Sequence, residues 1–241
     1  SGMAYERLTP EDIMTVDCHT LEVWGPHKSS GETGIHAAVY RLRPGVNFAI
    51  HTHQDAASAV SLAGYDRLAP TREERAVLCG DGAVPRAPYG LPCSAPLCSR
   101  VTRVLQETNA NAFLLARHGA LVLGADCAEA FLRAETVERM CARVLKPVPE
   151  QAVTPFDPAE MIAAIQAARP ELTEVRFVND PAILWRAGSK RQLVPMLDDF
   201  AQLIGTDIFC VAPDRPADAA AAIAGRNALL VHGRGALVAT S

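Results

Sequence analysis

The sequence predicts an α/β fold, from two alternating hydrophobic periods and the breakers that separate them. Ile35, Val39 and Leu42 recur at helical spacing over 32–43, and Pro44-Gly45 stops the run. Residues 46–53 and 112–123 are apolar runs rich in β-formers and read as buried strands.

The other elements follow in order. Thr9-Pro10-Glu11-Asp12 has an N-cap followed by Pro at the first helical position, which predicts a short turn before a strand over 13–17. His19, Trp24 and His27 fall in a loop punctuated by Gly and Pro and read as solvated. Residues 54–64 predict a second helix, 65–81 a charged connector, 84–92 a Pro-rich extended stretch and 95–107 a helix. A long helix over 125–146 carries Glu129, Arg133 and Glu138 on an expected solvated face. Four prolines between Lys146 and Pro158 mark a linker over 147–158 between a first domain, 1–146, and a second, 159–241.

Composition excludes several functions. A formal net charge of −4 and a pI near 6.0 argue against nucleic-acid binding, because phosphate recognition needs clustered Lys and Arg. No apolar run is long enough to span a membrane and nothing resembles a signal peptide, so a cytoplasmic protein is expected. Seven scattered cysteines, without a C-x-x-C, indicate neither a disulfide framework nor a thiolate zinc site.

The chemistry centres on histidines. His51 and His53 are two apart on a predicted strand, so both rings leave one face, and His118 in the second strand pattern can supply a third nitrogen. Three imidazoles leave a coordination position open, as catalytic zinc sites do. Glu32 opens the helix that ends just before the His strand and can serve as a general base beside the metal. On spacing alone, hydrogen-bonded core histidines are an equal reading. His36 lies one turn after Glu32, where it either positions the base or faces the core.

Five segments, in order, decide between the readings. Ser30-Gly31-Glu32-Thr33-Gly34-Ile35-His36, Tyr40-Arg41-Leu42-Arg43-Pro44-Gly45-Val46-Asn47, His51-Thr52-His53, Val84-Pro85-Arg86-Ala87-Pro88-Tyr89 and Leu115-Ala116-Arg117-His118-Gly119-Ala120-Leu121-Val122 resemble the class II aldolase/adducin family over about 1–146. The resemblance implies a three-layer α/β/α fold on a largely antiparallel central sheet. It implies Zn²⁺ or another divalent ion on His51, His53 and His118, with Glu32 as the catalytic acid/base. A small, phosphorylated keto-sugar would be cleaved at a carbon–carbon bond by a homo-oligomer with sites at subunit interfaces. Epimerases of the family carry Asp where Glu32 stands, which favours the lyase branch; a decarboxylase, a dehydratase and an adducin-like interaction module are the alternatives.

For the substrate phosphate the resemblance implies Ser30, Gly31 and Gly2. Gly31 stands where the family has a second Ser, and Ser29 where it has Pro. Ser1-Gly2 matches the end of the family's Thr-Pro-Ser-Gly-like turn, so the family's first helix and phosphate loop are expected upstream. Arg67, Thr71 and Arg72 offer no counterpart to the aromatic residue that family members lend to a neighbouring site.

The second half resembles the first. Residues 205–213 superpose on 45–53, 217–225 on 56–64, and 226–238 on 110–122. In that register Val211 and Pro213 replace the paired histidines, Arg234 replaces His118 and Gln192 replaces Glu32, leaving a degenerate, metal-free repeat in place of a neighbouring subunit. His232 reads as structural, and chance similarity between Ala-rich segments is the competing explanation.

Overall fold

A computed structural model describes residues 5–64, 67–78, 83–189 and 192–240. Gly2 of the expected substrate set lies outside them. The chain divides into two units, Ser1–Leu145 and Lys146–Ser241.

The first unit runs β1 (Thr15–Val16), β2 (Val23–Trp24), α1 (Thr33–Leu42), β3 (Phe48–Thr52), α2 (Asp55–Leu62), β4 (Arg67–Leu68), α3 (Arg72–Leu78), β5 (Val84–Ala87), α4 (Ala95–Glu107), β6 (Ala112–Leu115), β7 (Gly119–Gly124) and α5 (Cys127–Val144). β1 and β2 form a hairpin, and five strands form a sheet in the order β3-β7-β6-β5-β4. The sheet is mixed, because β5 and β6 run parallel while the other neighbours are antiparallel. β6 and β7 are buried along their whole length. Strands buried on both faces have to be apolar along their whole length, which is why 112–123 lacks alternation.

Helices follow their local signals. α1 buries Ile35, Ala38 and Val39 and packs against α4, which starts at an N-cap where Ser94 Oγ accepts the Leu97 N–H. α5 lies along β7 and β3 and against α2. Phe113, Leu115, Leu121 and Leu123 belong to one buried core together with Ile35 and Val39 of α1, Val101 and Leu105 of α4 and Val137 and Met140 of α5.

Three expectations are corrected. The connector over 65–81 contains β4 and α3, whose short lengths left no readable period. His118 sits in the turn between β6 and β7, since the apolar run 112–123 folds back on itself. Arg133 and Glu138 are not on a solvated face: the Arg133 guanidinium donates to the carbonyls of Val77 and Leu123, and Glu138 accepts the N–H groups of Ala56 and Ala57 at 2.7 and 2.9 Å. His27 is exposed, as its loop predicts, and pairs there with Asp12 at 2.7 Å.

The second unit runs α6 (Ala159–Ala168), β8 (Glu174–Val178), α7 (Pro181–Gly188), α8 (Asp198–Ile204), β9 (Cys210–Val211), α9 (Pro216–Ala222), β10 (Ala228–Val231) and β11 (Gly235–Thr240). Its sheet has the order β8-β11-β10-β9, with β9 and β10 parallel and the other neighbours antiparallel. Part of the expected register is overturned here. Residues 205–213 contribute β9, an edge strand parallel to its neighbour, whereas β3 is an edge strand antiparallel to its own. Val211 and Pro213 therefore do not stand in the place of His51 and His53, nor Gln192 in that of Glu32. Similar Ala-rich helices, α2 and α9, follow both strands. Among the described residues no helix is long and apolar enough to cross a membrane.

Candidate metal centre

His51 lies inside β3, opposite Leu121 of β7, and His53 follows just past the strand end. The ring of His51 is fixed from behind, since its Nδ1 lies 2.9 Å from the Ala120 carbonyl oxygen. A carbonyl can only accept, so Nδ1 carries a proton and Nε2 faces the site. His51 Nε2 is 3.0 Å from His118 Nε2 and 3.0 Å from His53 Nε2. Ring centroids are 4.7–4.8 Å apart, with planes inclined by 62–72°.

The turn that carries His118 is held at both ends. Arg117 takes the left-handed conformation at φ 59°, and the His118 N–H lies 3.1 Å from the Leu115 carbonyl and 3.2 Å from Ser61 Oγ. Arg117 N–H donates to the Ser61 carbonyl at 3.1 Å. Gly119 is required by proximity: a β-carbon there would lie 2.3 Å from the Thr52 carbonyl oxygen and 2.9 Å from the His53 ring.

Glu32 occupies the N-cap position of α1 and is buried, at 8% exposure. Its Oε2 lies 2.8 Å from His51 Nε2 and 3.5 Å from His118 Nε2, while Oε1 accepts the Cys93 N–H at 3.1 Å. Burial pushes this carboxyl upward, but His51, the Cys93 N–H and His118 outweigh it and hold the pKa at about 2. Burial also holds His36 below the usual imidazole range, with the nearby His51 adding to the effect.

Three imidazole nitrogens and a carboxylate oxygen thus converge on one point. A cation seated between His51 Nε2 and the Glu32 carboxylate would satisfy both groups at once. Neutral imidazoles are the ligands that Zn²⁺, Cu²⁺, Fe²⁺ and Ni²⁺ favour, and a three-His set beside a carboxylate suits a divalent ion with an open side. Among the described residues His51, His53 and His118 are the group placed to hold a metal.

The anion-binding candidates divide. Ser30 is close to the centre, its Oγ accepting the Glu32 N–H at 3.2 Å, and with Thr33, His36 and Tyr40 it lines a cavity of about 350 Å³. At Gly31 a β-carbon would lie 2.5 Å from Cys93 Sγ, so the thiol fills the space that a serine side chain would take. Three supports were not foreseen: the Ala120 carbonyl, Ser61 and Glu138. Each is a contact across more than fifty residues of chain, made by a group with no local pattern to mark it.

The family model of the class II aldolase and adducin N-terminal domain matches residues 1–145. A 5-methylthioribulose-1-phosphate/5-deoxyribulose-1-phosphate aldolase of Escherichia coli is 32% identical over 123 residues, 51% of this chain. This chain spans 55% of that relative's length. A methylthioribulose-1-phosphate dehydratase of Hahella chejuensis is 28% identical over 59% of this chain and 73% of its own. The crystal structure of L-fuculose-1-phosphate aldolase from Thermus thermophilus aligns over 60% of this chain and 73% of its own, with a TM-score of 0.50 and 30% identity.

Proposed function

This chain belongs to the class II aldolase and adducin family, and from that premise we propose that it is a metal-dependent lyase cleaving a carbon–carbon bond of a small, phosphorylated keto-sugar. The observation that carries the proposal is the approach of Glu32 Oε2 to within 2.8 Å of His51 Nε2, at the point where the imidazoles converge. His51, His53 and His118 would hold the ion and Glu32 would act as acid/base. Zinc as the ion, a homo-oligomer as the active state and the family's three-layer α/β/α arrangement belong to the same proposal.

A divalent ion bound there supplies Lewis acidity to adjacent hydroxyl and carbonyl oxygens of the substrate. Glu32 takes the proton of the hydroxyl at the bond to be cleaved. As that bond breaks, its electron pair passes into the ketone fragment as an enediolate, and the other fragment leaves as an aldehyde. Glu32 then returns the proton to the enediolate carbon, so the carboxylate ends as it began. The low pKa of Glu32 keeps it ionised. The Ala120 carbonyl keeps His51 in the tautomer that offers Nε2 inward. Ser30 would donate to an anionic group of the substrate.

The space at Gly31, filled by Cys93, favours a second reading. With the serine hydroxyl absent the phosphate is held less firmly, and the same acid/base could serve a dehydratase, the activity in the Hahella relative's name, or a decarboxylase. Incubating the Zn²⁺-loaded protein with a panel of phosphorylated ketoses separates the two. Aldehyde release, lost in Glu32→Gln, supports the lyase; release of water or CO₂ without an aldehyde selects the second reading.

A further inference from the structure

We infer that residues 158–240 are a second copy of the fold spanning 32–124, in a register that sets Phe177, Asn179 and Arg234 in the places of His51, His53 and His118. The inference rests on the three-His reading for what the first copy holds. Both sheets have the same order and directions, β3-β7-β6-β5 against β8-β11-β10-β9.

The pairs that fix the register coincide. Leu115 faces Gly119 as Val231 faces Gly235, Thr52 faces Ala120 as Val178 faces Ala236, and Ala87 faces Leu115 as Val211 faces Val231. Details that topology does not demand recur as well. Arg43 caps the end of α4 through the Leu105 and Thr108 carbonyls, and Arg169 does the same for α9 through Ile223 and Arg226. Arg117 and Gly233 hold the same left-handed turn position, at φ 59° and 62°. A β-carbon on Gly119 would lie 2.3 Å from the Thr52 carbonyl, and one on Gly235 would lie 2.3 Å from that of Val178.

Chance similarity of Ala-rich helices produces none of these contacts. Read through them, His51 becomes Phe177, opposite Leu237 as His51 is opposite Leu121. His53 becomes Asn179, His118 becomes Arg234, and Glu32 becomes Pro158 at the N-cap of α6. The Phe177 ring lies 5.3 Å from that of Phe156, so this place is packed with carbon where the first copy gathers nitrogen. The second copy is a metal-free form of the domain, and the chain binds one ion.

Metal analysis and grafting test this together. The wild-type protein is expected to hold one Zn²⁺ or Co²⁺ per chain and His51→Ala none. Restoring the ligands with Phe177→His, Asn179→His and Arg234→His is expected to add a second equivalent, retained in the His51→Ala background. The rival graft Val211→His, Pro213→His and Arg234→His is expected to add none. A triple graft folded by circular dichroism that gains no metal overturns the register, as does a second equivalent in the rival graft. Should the triple graft fail to fold, Phe177→His with Arg234→His in a background with His51, His53 and His118 all replaced by Ala is expected to take up Cu²⁺ with two-nitrogen hyperfine coupling; no uptake overturns the register. Absence of metal in the wild type overturns the three-His reading and the count of one ion per chain, whereas metal gained by the Phe177, Asn179 and Arg234 graft alone still supports the register.

Discussion

Glu32 Oε2 lies 2.8 Å from His51 Nε2, and the other ring nitrogen of His51 donates to the Ala120 carbonyl at 2.9 Å. The imidazole is thereby held in one tautomer from the β7 side while the carboxylate faces it from α1. Two functions that mutagenesis can separate follow from this. Glu32→Gln is nearly isosteric and leaves the imidazole set intact, so metal content is expected to stay near one ion per chain while turnover falls by at least ~10²-fold, the usual range for losing a positioned acid/base. His51→Ala is expected to lose both. Plasma mass spectrometry beside an aldehyde-release assay reads the difference; metal loss in Glu32→Gln would make the carboxylate a ligand instead.

Glu138 is expected to matter to the site without touching it. Its carboxylate accepts two N–H groups from the first turn of α2, which starts two residues after His53. Anions at a helix N-terminus are stabilising, and hydrogen bonds to a charged group contribute about 1.5–3 kcal/mol. Glu138→Gln keeps the shape but loses the charge. Metal affinity is expected to drop ~10-fold, within the range found when a supporting contact behind a ligand is lost, with a lower urea midpoint. Competition against a chromophoric chelator measures the first and denaturant titration the second.

Gly31 and Cys93 form a testable pair. A β-carbon at Gly31 meets Cys93 Sγ at 2.5 Å and its Cβ at 2.7 Å, and Cys93 holds a left-handed φ of 59°. Gly31→Ala is expected to cost ~1–3 kcal/mol through overpacking. Cys93→Gly removes the obstructing side chain at a position whose backbone suits glycine, so it is expected to recover most of that loss in the double variant. Additive costs in a double-mutant cycle would show that the two sites do not interact.

How much of this was legible depended on the range of the interaction. The helix of Ile35, Val39 and Leu42, its stop at Pro44-Gly45 and the α4 segment 95–107 are local patterns, and each formed close to where its residues predicted. Glu32, His51, His53 and His118 were readable because metal ligands come in few residue types and the family motif fixes their spacing. Ser61 and Glu138 were not, because a serine or a glutamate on a helix is ordinary until the fold brings a distant N–H to it. The α3 and β4 segments were too short to show a period, and similarity between two Ala-rich helices says nothing of the strand pairing that decides register.

Cys141 provides a prediction in pH. Burial raises its pKa to about 12, with the charges of Glu138 and Glu74 adding to the effect. In the unfolded chain a thiol titrates near about 8.5, so between the two values the native state keeps a proton that the unfolded state has lost. Stability from this group is therefore complete below pH ~8.5 and declines steadily as pH rises towards about 12. Urea midpoints are expected to fall across that window, and to fall less in Cys141→Val, which fills the same buried volume without an ionisable group. Iodoacetamide at pH 9 is expected to label the exposed Cys127 in the native protein and to reach the buried Cys141 only after denaturation. Rapid native labelling of Cys141 would mean that α5 opens locally, and a pH dependence unchanged in Cys141→Val would place the proton uptake on another group.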